Sequence, residues 1–391
     1  MILTQTWSLL VDAYRELNTK KLFWITMLLS GLVVVAFALI GNNAEGLTIA
    51  GYTIEIPLLS TAVIPTETLY KLTFTNLGIG IWLTWIATVL ALVSTSSMFP
   101  DFIAGGSIET TLSKPISRGR LFLTKYFTGL LFVGMQVAVF ATACFLVIGI
   151  RGKAWEPAIF LAVPVVLIFF SYLFSVCTLL GLLTRSTIAS LLLTLLFWFF
   201  LFCLNITDGF IQQFSTINQV RLEGMPARIE RAETRARARY QNEWREANTP
   251  EGASQEEIDA LIPPQPTPEE LEQQSEALRN LREELASIQK NRPRWDLASN
   301  VSFGVKTFFP KTQETIALLE RWMVDLADLP KPPAQEPDDF GPMAGVNQAE
   351  VQQRMLEQAR SRSVWWILGT SLAFEGVVLL LAMRIFKRRD F

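Results

Sequence analysis

Residues 158–206 read AIFLAVPVVLIFFSYLFSVCTLLGLLTRSTIASLLLTLLFWFFLFCLNI and carry one charged side chain, Arg185. A bilayer core about 30 Å thick needs roughly 20 apolar residues per helix. Ala158–Leu183 and Thr187–Ile206 therefore read as two membrane spans. The short Thr184-Arg185-Ser186 hinge between them predicts a helical hairpin. Working outward, Leu22–Ile40, Gly78–Phe99 and Phe127–Ile150 precede this pair, and Val364–Phe386 follows it. Half of the 391 residues are hydrophobic, and they gather in these blocks instead of spreading as a soluble core requires. The first run is too long for the apolar part of a secretory signal and no small-residue cleavage site follows, so it reads as a retained span.

The sequence thus predicts an all-α polytopic membrane protein with six spans. Residues 1–21 form an amphipathic interface helix, with Trp7, Leu10, Val11, Tyr14 and Leu17 at helical spacing. Residues 22–206 hold spans one to five and a polar loop at 100–126. Residues 207–363 form a large, mainly helical insert, and 364–391 the sixth span with a basic tail. Lysine and arginine in short connections set the orientation. One face collects Arg15, Lys20, Lys21, Lys114, Arg118, Arg120, Lys125 and Arg185, together with the tail from Arg384 to Arg389; the other has Lys71, Arg151 and Lys153. Both termini and the 100–126 loop are expected on the cytoplasmic side of the cytoplasmic (inner) membrane, and the insert outside.

Composition removes several chemistries. Histidine is absent, and with it the commonest general base, zinc ligand and triad member. Cys144, Cys177 and Cys203 lie inside apolar runs without metal-ligand spacing and read as packing residues. There is no glycine-rich phosphate loop with its lysine. No catalytic, cofactor-binding or metal-ligating residue emerges. The basic "RARAR" at 235–239 is interleaved with Glu230, Glu233, Glu243 and Glu246, so it reads as a solvated helix face and not a nucleic-acid patch.

In the insert, a mixed-charge helix covers Arg221–Arg245. After a proline-rich break, a second helix covers Pro268–Lys290, with Thr267 as N-cap and Glu270 three residues on. A third is expected at Thr312–Leu326, then a linker, "LPKPPAQEPDDFGP", and a last polar helix before span six. In the first connection, "LTIAGYTIEIPLL" predicts a short β-hairpin. Within the spans, Glu375 stands mid-helix, where an ionisable group is costly and faces the bundle interior or a wet cavity. It either contacts substrate or couples subunits, or it is protonated and bonded to a neighbouring helix. Gln136, Tyr172 and Ser175 are weaker pathway candidates, each able to serve as interhelical hydrogen-bonding glue.

The loop itself reads GSIETTLSKPISRGRLFLTKY over 106–126. Ile108–Leu112 make a short helix that ends at Lys114-Pro115, and Ser117 is placed to cap the helix entering span three. Gly106, Glu109, Leu112, Ser113, Lys114, Pro115, Ile116, Ser117, Arg118, Lys125 and Tyr126 resemble the cytoplasmic loop of ABC-2 type ABC transporter permeases. The closest likeness is to the branch associated with multi-copper enzyme maturation. The resemblance extends to the amphipathic N-terminus, the order of six spans and the basic "FKRRDF" tail, and leaves out the insert.

The resemblance implies a permease subunit that is not itself an enzyme, of an exporter of unknown substrate, paired with a second permease subunit of the same or another kind. A separate cytosolic ATPase subunit, holding ATP and Mg, would dock on Gly106, Glu109, Leu112, Ser113, Lys114, Pro115 and Arg118. Partners are then that ATPase, the second permease and membrane lipid, with no nucleic acid. The alternative is a non-transporting membrane scaffold or sensor that binds a partner through the helices of the insert.

Overall fold

The computed structural model describes residues 11, 21–104, 117–249, 262–323, 346 and 348–388. Among the described residues, six helices are long and apolar enough to cross a membrane. The first, α1 (Lys21–Leu39), follows the expected run closely. A small antiparallel sheet comes next, β1 (Ile40–Asn42), β2 (Leu47–Ile49) and β3 (Tyr52–Ile54), with Leu47 opposite Ile54 and Ile49 opposite Tyr52. The expected hairpin is its second half. Ala50 and Gly51 take positive φ at the turn, as a two-residue loop between twisted strands requires.

The second span begins about three turns before the predicted Gly78. Helix α2 (Thr66–Thr73) runs into a π-helical segment, Phe74–Ala87, then α3 (Thr88–Ser96) and α4 (Met98–Ala104). Its polar start survives because Lys71 is held by Glu67 at 2.7 Å and Glu156 at 3.0 Å. In the π segment and just after it, Thr84 and Thr88 donate five residues back, to the Ile79 and Leu83 carbonyls. Span three is α5 (Arg118–Arg151), with Ser117 at the N-cap position; its hydroxyl makes no capping bond, contrary to expectation. Span four is α6 (Ala162–Thr184), which Arg185 closes in the left-handed conformation. That turn leads into span five and completes the predicted hairpin.

Helix α7 (Thr187–Asn248) holds span five and then continues, 62 residues in all. The mixed-charge helix expected at Arg221–Arg245 is its continuation. Helix α8 (Pro268–Gln274) starts at the predicted capping box: Glu270 N donates to Thr267 Oγ1 at 3.4 Å, and Thr267 N to Glu270 Oε2 at 2.8 Å. The chain breaks at Ser275 and resumes as α9 (Glu276–Phe308), well past the expected end at Lys290. Helices α10 (Thr312–Met323) and α11 (Gln348–Ser361) follow. A π-helical turn at Trp365–Gly369 opens α12 (Thr370–Arg388), the sixth span. The N-terminal amphipathic helix, apart from Val11 and Lys21, the loop 105–116 and the proline-rich linker lie outside the described residues.

The chain divides into two compact units. Unit 1 is Met1–Asn205, Val305–Lys331 and Arg362–Phe391; unit 2 is Ile206–Gly304 and Pro332–Ser361. Unit 1 contains the spans and also α10, so the third helix of the insert belongs with the membrane helices. It packs on α6, burying Thr312, Thr315, Leu318, Leu319 and Met323. Around α6, Phe169, Phe170, Tyr172, Leu173 and Phe174 are essentially inaccessible. In unit 2, the residues of α7 and α9 lie antiparallel: Asp208 meets Ser302, Phe214 meets Trp295, and Arg221 meets Glu284. Helix α11 packs Val351 and Met355 against Ile217 and Val220 of α7.

Candidate functional site: a buried polar column in the span bundle

Helix α12 buries Ser371, Glu375, Val378, Ala382 and Phe386, spaced as one helical stripe. Glu375 is therefore turned inward and is 8 % exposed. Its carboxylate accepts from Tyr126 Oη of α5 at 2.8 Å and from Ser171 Oγ of α6 at 2.8 Å. Three spans thus meet at one acid. Each hydroxyl also has a second acceptor in reach: Ser171 O at 3.1 Å for Tyr126, and Ile168 O at 2.8 Å for Ser171. The Tyr126 ring is stacked on Phe174 at 5.1 Å and 12°, and Phe174 on Phe170 at 5.5 Å. Gly129 permits this contact, because a Cβ there would fall 2.7 Å from the Phe174 ring.

One turn along α12, Ser371 Oγ accepts from the backbone N–H of Lys311 at 2.9 Å. Lys311 sits in the corner between α9 and α10 and is 1 % exposed. Its ammonium donates to Thr370 Oγ1 at 2.5 Å and to the Thr307 and Phe309 carbonyls at 3.2 Å, and lies 4.5 Å over the Trp366 ring. Burial pushes this amine down to about 8, with Lys306 and Arg362 adding to the effect and Glu314 opposing it. Glu314 is in turn paired with Lys306 and, at 3.1 Å, with Arg362. The Tyr172 hydroxyl is buried beside Thr315 and Ser371 without a well-formed bond to either. A polar column therefore runs from Lys311 through Ser371 and Tyr172 to Glu375 and Tyr126.

The four intramembrane residues singled out from sequence separate here. Glu375 and Tyr172 are in the column. Ser175 is fully buried, but its hydroxyl donates to the Tyr172 carbonyl of its own helix at 2.8 Å. Gln136 lies ten residues along α5 from Tyr126, about 15 Å away at the helical rise. It lines a small pocket with Thr26, Ser30 and Thr88, whose 10 Å³ is room for about one water. Tyr126, Ser171, Ser371 and Lys311 were missed as members of a site. The lone lysine in Phe308-Phe309-Pro310-Lys311 was the available signal, since a cation among aromatic residues needs a partner.

Of the loop residues, Arg118 is described; Gly106, Glu109, Leu112, Ser113, Lys114 and Pro115 lie outside the described residues. Arg118 Nη1 donates to the Lys387 carbonyl at 3.2 Å, joining the start of α5 to the end of α12. Phe122 and Phe386 meet just above, 5.8 Å apart. Helix α12 is thus tied to its neighbours at both ends and at its middle.

These spans and their inward-turned acid define a polytopic helical membrane protein. The sequence pattern of the ABC-2 family transporter proteins matches residues 9–293, more than half of the chain, and the chain belongs to that family. The match is to the family as a whole and singles out no branch within it. It reaches further into the insert than the loop and span pattern indicated, and stops before α12. No curated protein and no solved structure matches the chain.

Proposed function

We propose that this chain is the membrane subunit of an ABC exporter, driven by ATP hydrolysis in a separate cytosolic subunit. The family match carries the reading, because it spans the 100–126 loop and five of the six apolar helices. The lack of a phosphate loop in the sequence supports a separate ATPase holding ATP and Mg. In this reading the chain sits in the cytoplasmic membrane with both termini inside, pairs with a second permease subunit, and docks its ATPase through the region around Glu109. Arg118 would pass movement of that docking region to α12, and α12 to the Glu375 centre.

Affinity co-purification from membranes tests this, comparing wild type with Glu109→Arg and assaying ATP hydrolysis in the recovered complex. The expected result is an ATPase that accompanies wild type and is lost or uncoupled in the variant. If mild detergent yields no ATPase with wild type, the transporter reading fails. The scaffold or sensor reading, in which the insert binds a partner, would then take its place.

A further inference from the structure

Unit 2 has a pocket of its own. Between the antiparallel α7 and α9 lies a groove of about 250 Å³, with Asn218, Gln219 and Glu223 on one wall and Arg292, Trp295 and Asp296 on the other. The Phe214–Trp295 stack, 5.6 Å apart and within 15° of parallel, holds the indole flat at one end. Glu223 is fixed before any ligand arrives: Arg354 grips both its oxygens at 3.0 and 2.6 Å, and Gln219 reaches it at 3.2 Å. Both walls also carry a proline nearby. Pro226 lacks the N–H that would bond the carbonyl of Leu222, a further wall residue, and Pro293 does the same for Gln289. Two backbone acceptors beside the groove are thereby released from their helical ladders.

The chemistry of the walls selects a class of ligand. Five of the six named side chains end in flat amide, carboxylate or guanidinium groups. Such groups hold two adjacent hydroxyls at once, while an indole offers its face to the C–H side of a ring. Charge within the groove is balanced, since Glu223 is neutralised by Arg354 and Asp296 lies 3.9 Å from Arg292. That balance favours an uncharged ligand over a phosphate, a metal ion or a charged peptide. The volume falls just below the range of drug-sized pockets, about 300–1,000 Å³, and suits one or two small rings. We infer that unit 2 carries a binding site for a neutral sugar, seated on Trp295 and held through its hydroxyls by Asn218, Glu223 and Asp296. The inference concerns this unit alone and holds whether or not the chain moves a substrate.

Saturation-transfer NMR on the full chain in lipid nanodiscs tests it, using neutral hexoses, N-acetylhexosamines and their disaccharides as probes. Diglycine and inorganic phosphate serve as competitors. At least one sugar is expected to bind, at least tenfold more weakly to Trp295→Ala. Ser215 also lines the groove, and Ser215→Trp, which fills it, should abolish binding without changing the gel-filtration profile. The inference is overturned if no probe sugar binds, if binding is unchanged in both variants, or if diglycine or phosphate displaces the sugar.

Discussion

The two units solve the problem of polar groups in opposite ways. In unit 1, hydroxyls in the spans mostly turn back on their own helices: Thr26 to Leu22, Thr95 to Ala91, Thr128 to Thr124. Cohesion comes from interlocked rings around α6 and from close approach at small residues. In unit 2 the buried apolar cluster is small, and the helices are crossed by ion pairs such as Arg221–Glu284 and Arg282–Glu233. A buried group inside lipid has no water to fall back on, so losing a partner there is costly. Charged side chains in water are cheap to hold and contribute little singly. Sensitivity to change should therefore concentrate in unit 1.

The largest effect is expected from Gly129→Leu. The new side chain would collide with the fully buried Phe174 and displace the ring on which Tyr126 rests. Overpacking of this kind costs about 3 kcal/mol, and the protein should lose its monodisperse peak in gel filtration. A variant as stable as wild type would show that the α5–α6 contact is not tight.

A smaller effect tests Lys311. The ordinary lysine value is 10.5 and burial brings this one to about 8, so between those values the unfolded chain holds the proton that the folded one has released. Stability should rise with pH across that window. The thermal midpoint is expected to be higher at about pH 9.5 than at about pH 7.5, and Lys311→Met should remove that difference. Equal slopes in the two proteins would show that the amine is not desolvated as its burial implies.

The smallest effect is expected in unit 2. Arg354→Ala removes the clamp on Glu223 and the contact with Glu350 at 2.7 Å, both exposed. The midpoint should fall slightly at low salt and match wild type at high salt, as screening removes what the pairs contribute. A large, salt-independent loss would mean that unit 2 depends on that clamp as unit 1 depends on its rings.

Apolar run length located all six spans because the bilayer imposes it directly on sequence. The capping box at Thr267 was equally legible, being a rule that operates within four residues. Helix continuity was not. Polarity changes near Thr207 while the backbone of α7 continues unbroken, since a change of solvent is not a change of conformation. Helix α9 likewise passes through Pro293, a residue that ordinarily ends or kinks a helix. Glu375 could be singled out by its charge, but Tyr126 and Ser171 lie 249 and 204 residues away in sequence. Nothing in the periodicity of one helix names its neighbours.

The second acceptors at the Glu375 centre give the spans an unequal stake in staying together. If α12 withdraws, Tyr126 and Ser171 can each turn their single proton to a main-chain oxygen already in reach. Neither hydroxyl is stranded, and the burden of the separation falls on the carboxylate that leaves. A slide of α12 by one turn, about 5.4 Å, would offer the same pair the hydroxyl of Ser371 in place of the acid.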